Sequence, residues 1–235
     1  MEWPLRGTDS GTEGILAAAF QSFIDPMLFK ETKLKGVYLI EMSPVEDDRG
    51  FFARTFCQKE FSKNGLNLQI VQCNLSYNRK KGTLRGMHYQ VAPHEEAKLI
   101  GCVSGAVYDV VVDLREESTT YGEWLAVELG ARDPRRMLYV PEGFANGFQT
   151  LEDNSEVFYQ MSEFYAPEYA RGIRWNDPAL RIQWPDNHPI LSRRDMSFPD
   201  FETGSPTPKK RAAPLSTAQK DNRSVKPTKP ESESF

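Results

Sequence analysis

Short apolar runs separated by turn residues dominate the chain between residues 34 and 201. Each run is a few residues long and rich in Val, Ile, Leu, Phe or Tyr, which is typical of β-strands. We predict strands at 34–42, 51–56, 69–78, 98–103, 107–114, 124–129, 136–140 and 156–162. Between them, only 58–65 has a helical pattern. Because many short strands occur without alternating helices, the pattern predicts an all-β fold, an antiparallel sandwich or barrel with a few short helices.

Two turns connect these predicted strands. Ser104-Gly105 lies between two apolar runs, and glycine adopts a positive φ at little cost, so residues 103–106 predict a tight hairpin. A second turn is predicted at 130–134.

The two ends of the chain differ in composition from its middle. We assign residues 1–33 to an N-terminal extension, in which 15–23 has the pattern of a short amphipathic helix that ends before Pro26. Residues 202–235 are rich in Pro, Lys and Ser and poor in aliphatic residues, which predicts a disordered tail. The segment 34–201 has the length of one ordinary domain.

Charge and cysteine usage limit the class of protein. The net charge is −4, whereas a general nucleic-acid binder carries a basic excess, so we expect no nucleic-acid partner. No apolar run approaches the roughly 20 residues of a membrane span, so we expect no membrane partner. Cys57, Cys73 and Cys102 are odd in number and far apart, which favours a reduced, cytoplasmic protein.

The chain has 3 histidines, of which His88 is chemically the most informative. Near pH 7 an imidazole can take up a proton. Proton abstraction next to a carbonyl also needs a group that stabilises the enolate oxygen and an acid that returns the proton. Lys98, Arg85 and Tyr159 have suitable side chains, although spacing alone does not show that they converge.

Each of these residues also has an ordinary structural alternative. His88 could be a core histidine with satisfied hydrogen bonds, Tyr159 a barrel-wall tyrosine and Lys98 a strand-edge lysine. Arg49 could form a salt bridge within its own turn at 47–52.

The segments 86–105 and 141–148 resemble the two halves of a small cupin barrel. Metal-binding cupins have a His-x-His pair and a carboxylate in the first half and a further histidine in the second. Here these positions hold His88, Gln90 and Asn146. A first-row metal needs three or more converging donors, so we expect no metal.

A set of motifs resembles the dTDP-4-dehydrorhamnose 3,5-epimerase family of nucleotide-sugar enzymes. The motifs are individually weak, but they occur in the family's order and cover roughly 34–200. They lie at 48–52, 72–74, 82–90, 98–99, 113–115, 141–144, 159, 165–167, 171–173, 175–178 and 191–195. Residues 1–33 and 202–235 have no counterpart in this pattern.

The resemblance implies a cupin-like antiparallel jelly-roll barrel and a homodimer that exchanges edge strands. It also implies an epimerase without metal or cofactor, which inverts C3 and C5 of a dTDP-4-keto-6-deoxy-hexose in dTDP-rhamnose-type biosynthesis. The 4-keto group acidifies the protons at C3 and C5. The reaction then consists of proton abstraction and reprotonation from the opposite face.

Four catalytic roles carry over from the resemblance. His88 corresponds to the base, and Asp195 to the carboxylate that orients it. Lys98 would stabilise the enolate oxygen, and Tyr159 would return the proton.

The resemblance also implies a set of substrate-binding residues. Arg49 and Arg85 would neutralise the diphosphate, because planar guanidinium groups match phosphate geometry. The other members are Gln72 and Asn74 for hydrogen bonds to the nucleotide or sugar, Tyr165 for stacking on the base with Phe52 nearby, and Gln90 and Asn146.

Three positions depart from the family pattern. Asn146 replaces the histidine of a Gly-Phe-Ala-His-Gly-Phe segment, Arg54 stands where many members have glutamate, and Ala170 stands where glutamate commonly precedes Arg-Gly. Two alternatives therefore stay open. One is a mono-epimerase that acts at C3 or C5 only, and the other is a non-catalytic barrel that binds a sugar nucleotide.

Overall fold

The computed structural model describes residues 25–66, 69–131 and 136–201. Short strands make up most of this part of the chain. They are β1 Leu28–Glu31, β2 Tyr38–Glu41, β3 Val45–Asp47, β4 Gly50–Phe52, β5 Gln72–Asn78, β6 Leu84–Gln90, β7 Lys98–Ser104, β8 Ala106–Asp113, β9 Trp124–Gly130, β10 Arg136–Val140, β11 Phe144–Thr150, β12 Ser155–Met161 and β13 Ala170–Gly172. The helices of these residues are α1 Gln58–Lys63 and α2 Arg193–Met196.

The strands form two large sheets and one separate hairpin. The six-stranded sheet has the order β1-β2-β10-β7-β12-β5, and the five-stranded sheet has the order β13-β6-β11-β8-β9. All paired strands within them run antiparallel. The hairpin consists of β3 and β4 alone. The predicted all-β, cupin-like antiparallel fold is therefore confirmed.

The inner faces of the two sheets pack against each other to form the main core. Along β8, Val107 and Val111 belong to this core, whereas Val110 and Val112 pack on the outer side of the sheet. This alternation follows from the two-residue period of a strand. It places the Asp109 side chain, which is fully buried, between the sheets.

Each sheet is also covered on its outer face. Phe61 of α1 packs with Ile40, Leu99 and Met137 against the six-stranded sheet. Ile173, Leu180, Ile182 and Trp184, from the segment after β13, pack against the five-stranded sheet together with Leu84, Met87 and Val110. The C-terminal segment is thereby fixed beside β6.

Several predicted strands correspond to observed ones, whereas others were missed. β6, β11 and β13 were not predicted because their glycines and polar residues resemble turns. Pairing of β6 with β11 and β13, and of β11 with β8, compensates for this weak local preference. The predicted strand at 51–56 is wrong beyond Phe52, where β4 ends.

The predicted hairpin at 103–106 is wrong, although the turn itself exists. Gly105 has a φ of 69°, as the turn requires. However, β7 pairs with β10 and β12, while β8 pairs with β9 and β11. The turn moves the chain from one sheet to the other, because the apolar faces of both strands pack across the core.

The first sheet begins within the predicted N-terminal extension. β1 pairs with β2 through four residues, from Leu28↔Glu41 to Glu31↔Tyr38. The predicted helix at 15–23, the predicted tail at 202–235 and most of the predicted turn at 130–134 lie outside the described residues. In the part of the chain that is described, no helix has the length and apolar character to cross a membrane.

Candidate active site

Strand pairing brings the predicted catalytic side chains to facing walls. His88 on β6 and Asn146 on β11 are direct partners in the five-stranded sheet. Tyr159 on β12 and Lys98 on β7 belong to the six-stranded sheet, with Met161 pairing with Lys98. The space between the sheets is thus bordered by His88 on one side and by Tyr159 on the other.

Two adjoining cavities, of about 370 Å³ and 320 Å³, occupy this space. His88, Lys98 and Tyr159 line both of them. The first cavity is also lined by Arg85 and Asn146, together with Ile100, Phe148 and Val157. The second is also lined by Gln72, Asn74, Gln90, Tyr165, Ala170, Arg171 and Arg194. The shared residues therefore lie where the two cavities meet.

His88 and Asp195 form a hydrogen-bonded pair. The distance from Nε2 of His88 to Oδ1 of Asp195 is 2.7 Å, and the aspartate side chain is 7% exposed against 40% for the histidine. In the neutral imidazole, Nε2–H donates to the carboxylate and Nδ1 keeps a lone pair. Among the described residues Nδ1 has no hydrogen-bond partner, so it is the nitrogen that can take up a proton.

Local structure holds this pair in position. Asp195 lies on α2, where its backbone N–H donates to Oγ of Ser192. The ring of Phe198 packs edge-on against His88, with 5.6 Å between ring centroids. Phe198 fits because residue 172, the partner of His88 on β13, is glycine: a Cβ there would lie 2.5 Å from the ring.

Lys98 forms a buried ion pair that the sequence analysis missed. Its Nζ lies 2.9 Å from Oε1 of Glu96, and the side chains are 11% and 4% exposed. The second carboxylate oxygen of Glu96 is buried without a hydrogen-bond partner in the described part of the chain. The two-residue spacing of Glu96 and Lys98 is a signal that could have identified the pair. The carboxylate holds the ammonium group at the junction of the cavities.

Tyr159 is a protonated phenol at neutral pH. Burial raises its pKa above the usual 10.0, and the negative charge of Glu96 adds to this effect, while the positive charge of Arg85 opposes it. A phenol in this state can donate a proton into the cavity.

A second pair, also missed, joins the buried Asp109 to the partly buried Asn146. Asn146 donates through Nδ2 to Oδ1 of Asp109, at 2.7 Å, and to the backbone oxygen of Val110, at 3.1 Å. Burial raises the pKa of Asp109 to about 8, although the hydrogen bond from Asn146 and the positive charge of Lys98 lower it. A lone carboxylate within the apolar run of β8 is the sequence signal that could have identified this group.

The side-chain amides around the second cavity form hydrogen bonds that hold one another and a neighbouring loop in place. Nε2 of Gln72 donates to Oδ1 of Asn74, and the backbone N–H of Tyr165 donates to Oε1 of Gln72. Gln90 accepts from the backbone of Ala166 and donates to two carbonyls, those of His94 and Phe164. Gln90 thus fixes the loop that carries Tyr165.

Several cationic side chains border the cavities. Arg85 is held by a hydrogen bond from its Nε to Oδ1 of Asn78, at 2.8 Å. Arg194 donates from Nη1 to the hydroxyl of Tyr165, at 3.0 Å, and Arg171 lies in the same cavity wall. Both residues lie in the motifs at 171–173 and 191–195, but the sequence analysis gave neither a role in the site. Arg171 and Arg194, together with the ring of Tyr165, make the second cavity suitable for an anion that carries an aromatic base, whereas Arg85 lines the first cavity.

Two predicted site residues lie apart from the other site residues of the same chain. Arg49 and Phe52 lie on the β3–β4 hairpin, are exposed, and line neither cavity. The Arg49 guanidinium pairs with Asp47 of the same hairpin. Arg54 also stands apart, because it pairs with Glu60 of α1.

The described residues contain no group of three or more His, Cys, Asp or Glu side chains arranged to hold a metal ion. His88, the one histidine that lines the cavities, is bonded to Asp195.

Comparisons with known proteins agree with this geometry. A sequence model of the family described as dTDP-4-dehydrorhamnose 3,5-epimerase matches residues 31–203. The dTDP-4-dehydrorhamnose 3,5-epimerase of Shigella flexneri is 42% identical over 172 residues, which are 73% of this chain and 94% of the relative.

Solved structures give the same result. The epimerase of that name from Bacillus anthracis, with TDP and PPi bound, is 41% identical with a TM-score of 0.73, and the match covers 74% of this chain and 99% of the other. A 3'-monoepimerase from Streptomyces bikiniensis in complex with dTDP-quinovose is 34% identical with a TM-score of 0.67, covering 72% and 85%. With its cavity, its strand order and these matches taken together, the chain belongs to the dTDP-4-dehydrorhamnose 3,5-epimerase family.

Proposed function

We propose that the protein is an epimerase that inverts C3 and C5 of a dTDP-4-keto-6-deoxy-hexose, in dTDP-rhamnose-type biosynthesis. The observation that supports this most directly is the placement of His88 and Tyr159 on facing sheets around one cavity. Inversion needs a base on one side of the sugar ring and an acid on the other. Binding alone needs neither.

The proposed reaction has the same two steps at each carbon. Nδ1 of His88 takes the proton next to the 4-keto group, and the C–H electron pair forms an enolate. The Lys98 ammonium stabilises the enolate oxygen. The Tyr159 hydroxyl then gives its proton to the opposite face of the carbon, and solvent restores the protonation of both side chains.

The second cavity suits the nucleoside diphosphate. Arg85, which lines the adjoining first cavity, would neutralise the diphosphate, Tyr165 would stack on the thymine, and Gln72 and Asn74 would hydrogen-bond the nucleotide or sugar. Asn146 and Gln90 complete the binding set, Gln90 mainly by fixing the loop of Tyr165.

We also propose a homodimer, in which the β3–β4 hairpin of one subunit reaches the cavity of the other. Arg49 and Phe52 would then contact substrate from the partner subunit. Large apolar side chains lie exposed on the outer side of the six-stranded sheet, where Phe51, Val103 and Phe158 border a groove of about 300 Å³. A second copy of the chain would cover this groove.

We also propose a cytoplasmic location and a three-part division of the chain. Cys57, Cys73 and Cys102 are all free thiols, which supports a cytoplasmic location. We retain the division into an extension, one epimerase domain and a tail, with the domain beginning no later than β1.

The test is NMR of a dTDP-4-keto-6-deoxy-hexose with the protein in heavy water. The expected result is deuterium uptake and inversion at both C3 and C5. In His88→Asn the rate should fall by at least about a hundredfold, because the base is removed. His94→Asn is the matched control, since His94 lines neither cavity. Wild-type exchange in His88→Asn would exclude the proposed base.

The same experiment distinguishes the second candidate function, a mono-epimerase. Its support is the similarity to the Streptomyces bikiniensis 3'-monoepimerase. Exchange at only one of the two carbons would identify it, whereas saturable binding without exchange would indicate a non-catalytic barrel.

A further inference from the structure

The Asn146 amide has one possible orientation. Its Nδ2 lies 3.1 Å from the backbone oxygen of Val110, and a carbonyl oxygen can only accept a hydrogen bond. The orientation therefore holds whether Asp109, the other partner at 2.7 Å, is ionised or protonated. As a result, Oδ1 of Asn146 points away from both partners.

The free Oδ1 faces the cavity. Asn146 lines the first cavity, and its Oδ1 has no hydrogen-bond partner among the described residues. Two cationic donors, the Arg85 guanidinium and the Lys98 ammonium, line the same cavity, but neither donates to this oxygen among the described residues. An acceptor in this setting selects a ligand group that can donate, such as a hydroxyl.

Asp109 has no contact with the cavity and acts only through its neighbours. It is fully buried, and its Oδ2 has no hydrogen-bond partner within the described residues. A buried carboxyl group with one unsatisfied oxygen is costly to stability. Its single side-chain hydrogen bond is the one that holds Asn146.

We propose that Asn146 is a specificity-determining residue that accepts a hydrogen bond from the C2 hydroxyl of the sugar, and that Asp109 is the positioning residue that holds it. This inference rests on the proposed function. Asn146 is the direct strand partner of His88, so it lies beside the carbon that His88 deprotonates. The neighbours of C3 are C4, which carries the keto group, and C2, which carries a hydroxyl. C5 has no hydroxyl-bearing neighbour. C3 carries a hydroxyl of its own, but that group changes face when C3 is inverted, so the C2 hydroxyl is the donor that keeps one position throughout the reaction.

The test compares two substrates, dTDP-4-keto-6-deoxy-D-glucose and its 2-deoxy analogue, by kcat/KM for deuterium exchange in heavy water. The wild-type protein should prefer the hydroxylated sugar by roughly tenfold or more, because the analogue leaves Oδ1 without a donor. Asn146→Leu should reduce this preference to about onefold. Asn146→Ala provides a second variant in case the leucine disturbs folding.

Two substitutions at Asp109 test the positioning role. Asp109→Asn keeps an acceptor for Nδ2 of Asn146, so the preference should remain. Asp109→Leu removes that acceptor and leaves the Val110 carbonyl as the remaining anchor, so the preference should fall part of the way toward that of Asn146→Leu. A purely structural role would lower kcat/KM for both sugars equally and leave their ratio unchanged. An unchanged ratio in Asn146→Leu, or a wild-type ratio near one, would overturn the inference.

Binding measurements separate this inference from the proposed function. Calorimetry with dTDP-6-deoxy-D-glucose and its 2-deoxy form, which have no 4-keto group and do not react, gives the same preference without turnover. A wild-type protein that exchanges no deuterium but prefers the 2-hydroxyl form in binding would refute the epimerase and retain the role of Asn146. Deuterium exchange without a preference for the 2-hydroxyl form in binding would support the epimerase and refute the role of Asn146.

Discussion

At the scale of the residue, the chemistry of His88 depends on the group at its other nitrogen. Asp195 accepts from Nε2, which leaves Nδ1 as the basic atom. Likewise, Glu96 positions the ammonium group of Lys98, and Asp109 orients Asn146. The three carboxyl groups are nearly or fully buried, and the groups they hold line the cavities. His88, Lys98 and Asn146 thus each have a carboxyl partner that holds them in position.

Removal of the proposed acid should separate exchange from inversion. In Tyr159→Phe, His88 can still abstract a proton and return a deuteron to the same face. We therefore expect net inversion to fall by about a hundredfold or more while deuterium uptake persists. Proton NMR in heavy water measures both quantities. Tyr139→Phe, a buried tyrosine packed on the outer side of the same sheet, should behave as wild type. Equal losses of uptake and inversion would argue against Tyr159 as the acid.

The burial of Asp109 should make stability depend on pH. Its pKa is raised to about 8, so the folded protein retains a proton that the unfolded chain releases near pH 4. The free energy of unfolding therefore falls as the pH rises from about 4 through about 8. The Asp109→Asn variant avoids this loss.

We therefore compare the free energy of unfolding of Asp109→Asn with that of wild type at each pH. The variant's value minus the wild-type value should be at least about 1 kcal/mol higher at pH 9 than at pH 5. Denaturant unfolding at both pH values measures it. Asp153→Asn, which changes a carboxylate at the surface, is the control and should not show this increase. Parallel pH curves for Asp109→Asn and wild type would contradict the prediction.

At the scale of the element, the site depends on the two-residue period of strands and on the close approach of the C-terminal segment. Alternation points His88, Asn146, Lys98 and Tyr159 between the sheets. α2 then brings Asp195 to His88 because the segment before it packs on the outer face of the five-stranded sheet. Phe198 completes this contact beside Gly172.

Gly172→Ala should disturb this arrangement. The new Cβ would lie 2.5 Å from the Phe198 ring, so the ring or the strand must shift. We expect a loss of about 1–3 kcal/mol in the free energy of unfolding, together with slower exchange, because His88 and Asp195 lose their packing. Thermal unfolding and exchange NMR measure the two effects. Gly130→Ala is the matched control, since its Cβ would have only ordinary contacts, at 3.7 Å. An equally small effect of both substitutions would refute the packing argument.

At the scale of the whole molecule, a single chain brings the proposed catalytic residues together around the cavities. Its own β3–β4 hairpin, however, lines neither cavity. Arg49 and Phe52 are exposed, and the groove beside them is apolar. In a two-fold symmetric dimer the same surface of each subunit meets its copy, so both hairpins would reach a cavity at once. A subunit of 26.8 kDa should then occur at twice this mass.

Complementation between two inactive variants tests the exchange of hairpins. His88→Asn and Arg49→Ala should each be strongly impaired as pure dimers. In a co-expressed mixture, the heterodimer has one site with both His88 and Arg49 intact. About a quarter of wild-type activity should therefore return, because half of the dimers are mixed and each has one complete site. No recovery in a verified heterodimer would show that Arg49 acts within its own chain.

The sequence by itself determined the all-β class, most strand positions and the chemical types of the reactive residues. These properties follow from local composition and spacing, which are visible along the chain. β6 and β11 were missed because glycine and polar residues weaken the local pattern, and only pairing within a sheet stabilises them.

Only the tertiary structure decided which residues converge and what each one can do. It separated β7 from β8 into different sheets, assigned Nδ1 of His88 as the free nitrogen, and kept Arg49 out of the chain's own cavity. It also added Glu96 and Asp109, whose partners are defined in three dimensions. The physical reason is that hydrogen-bond direction, burial and the pairing of distant strands arise from contacts between residues far apart in the chain. Local spacing does not encode those contacts.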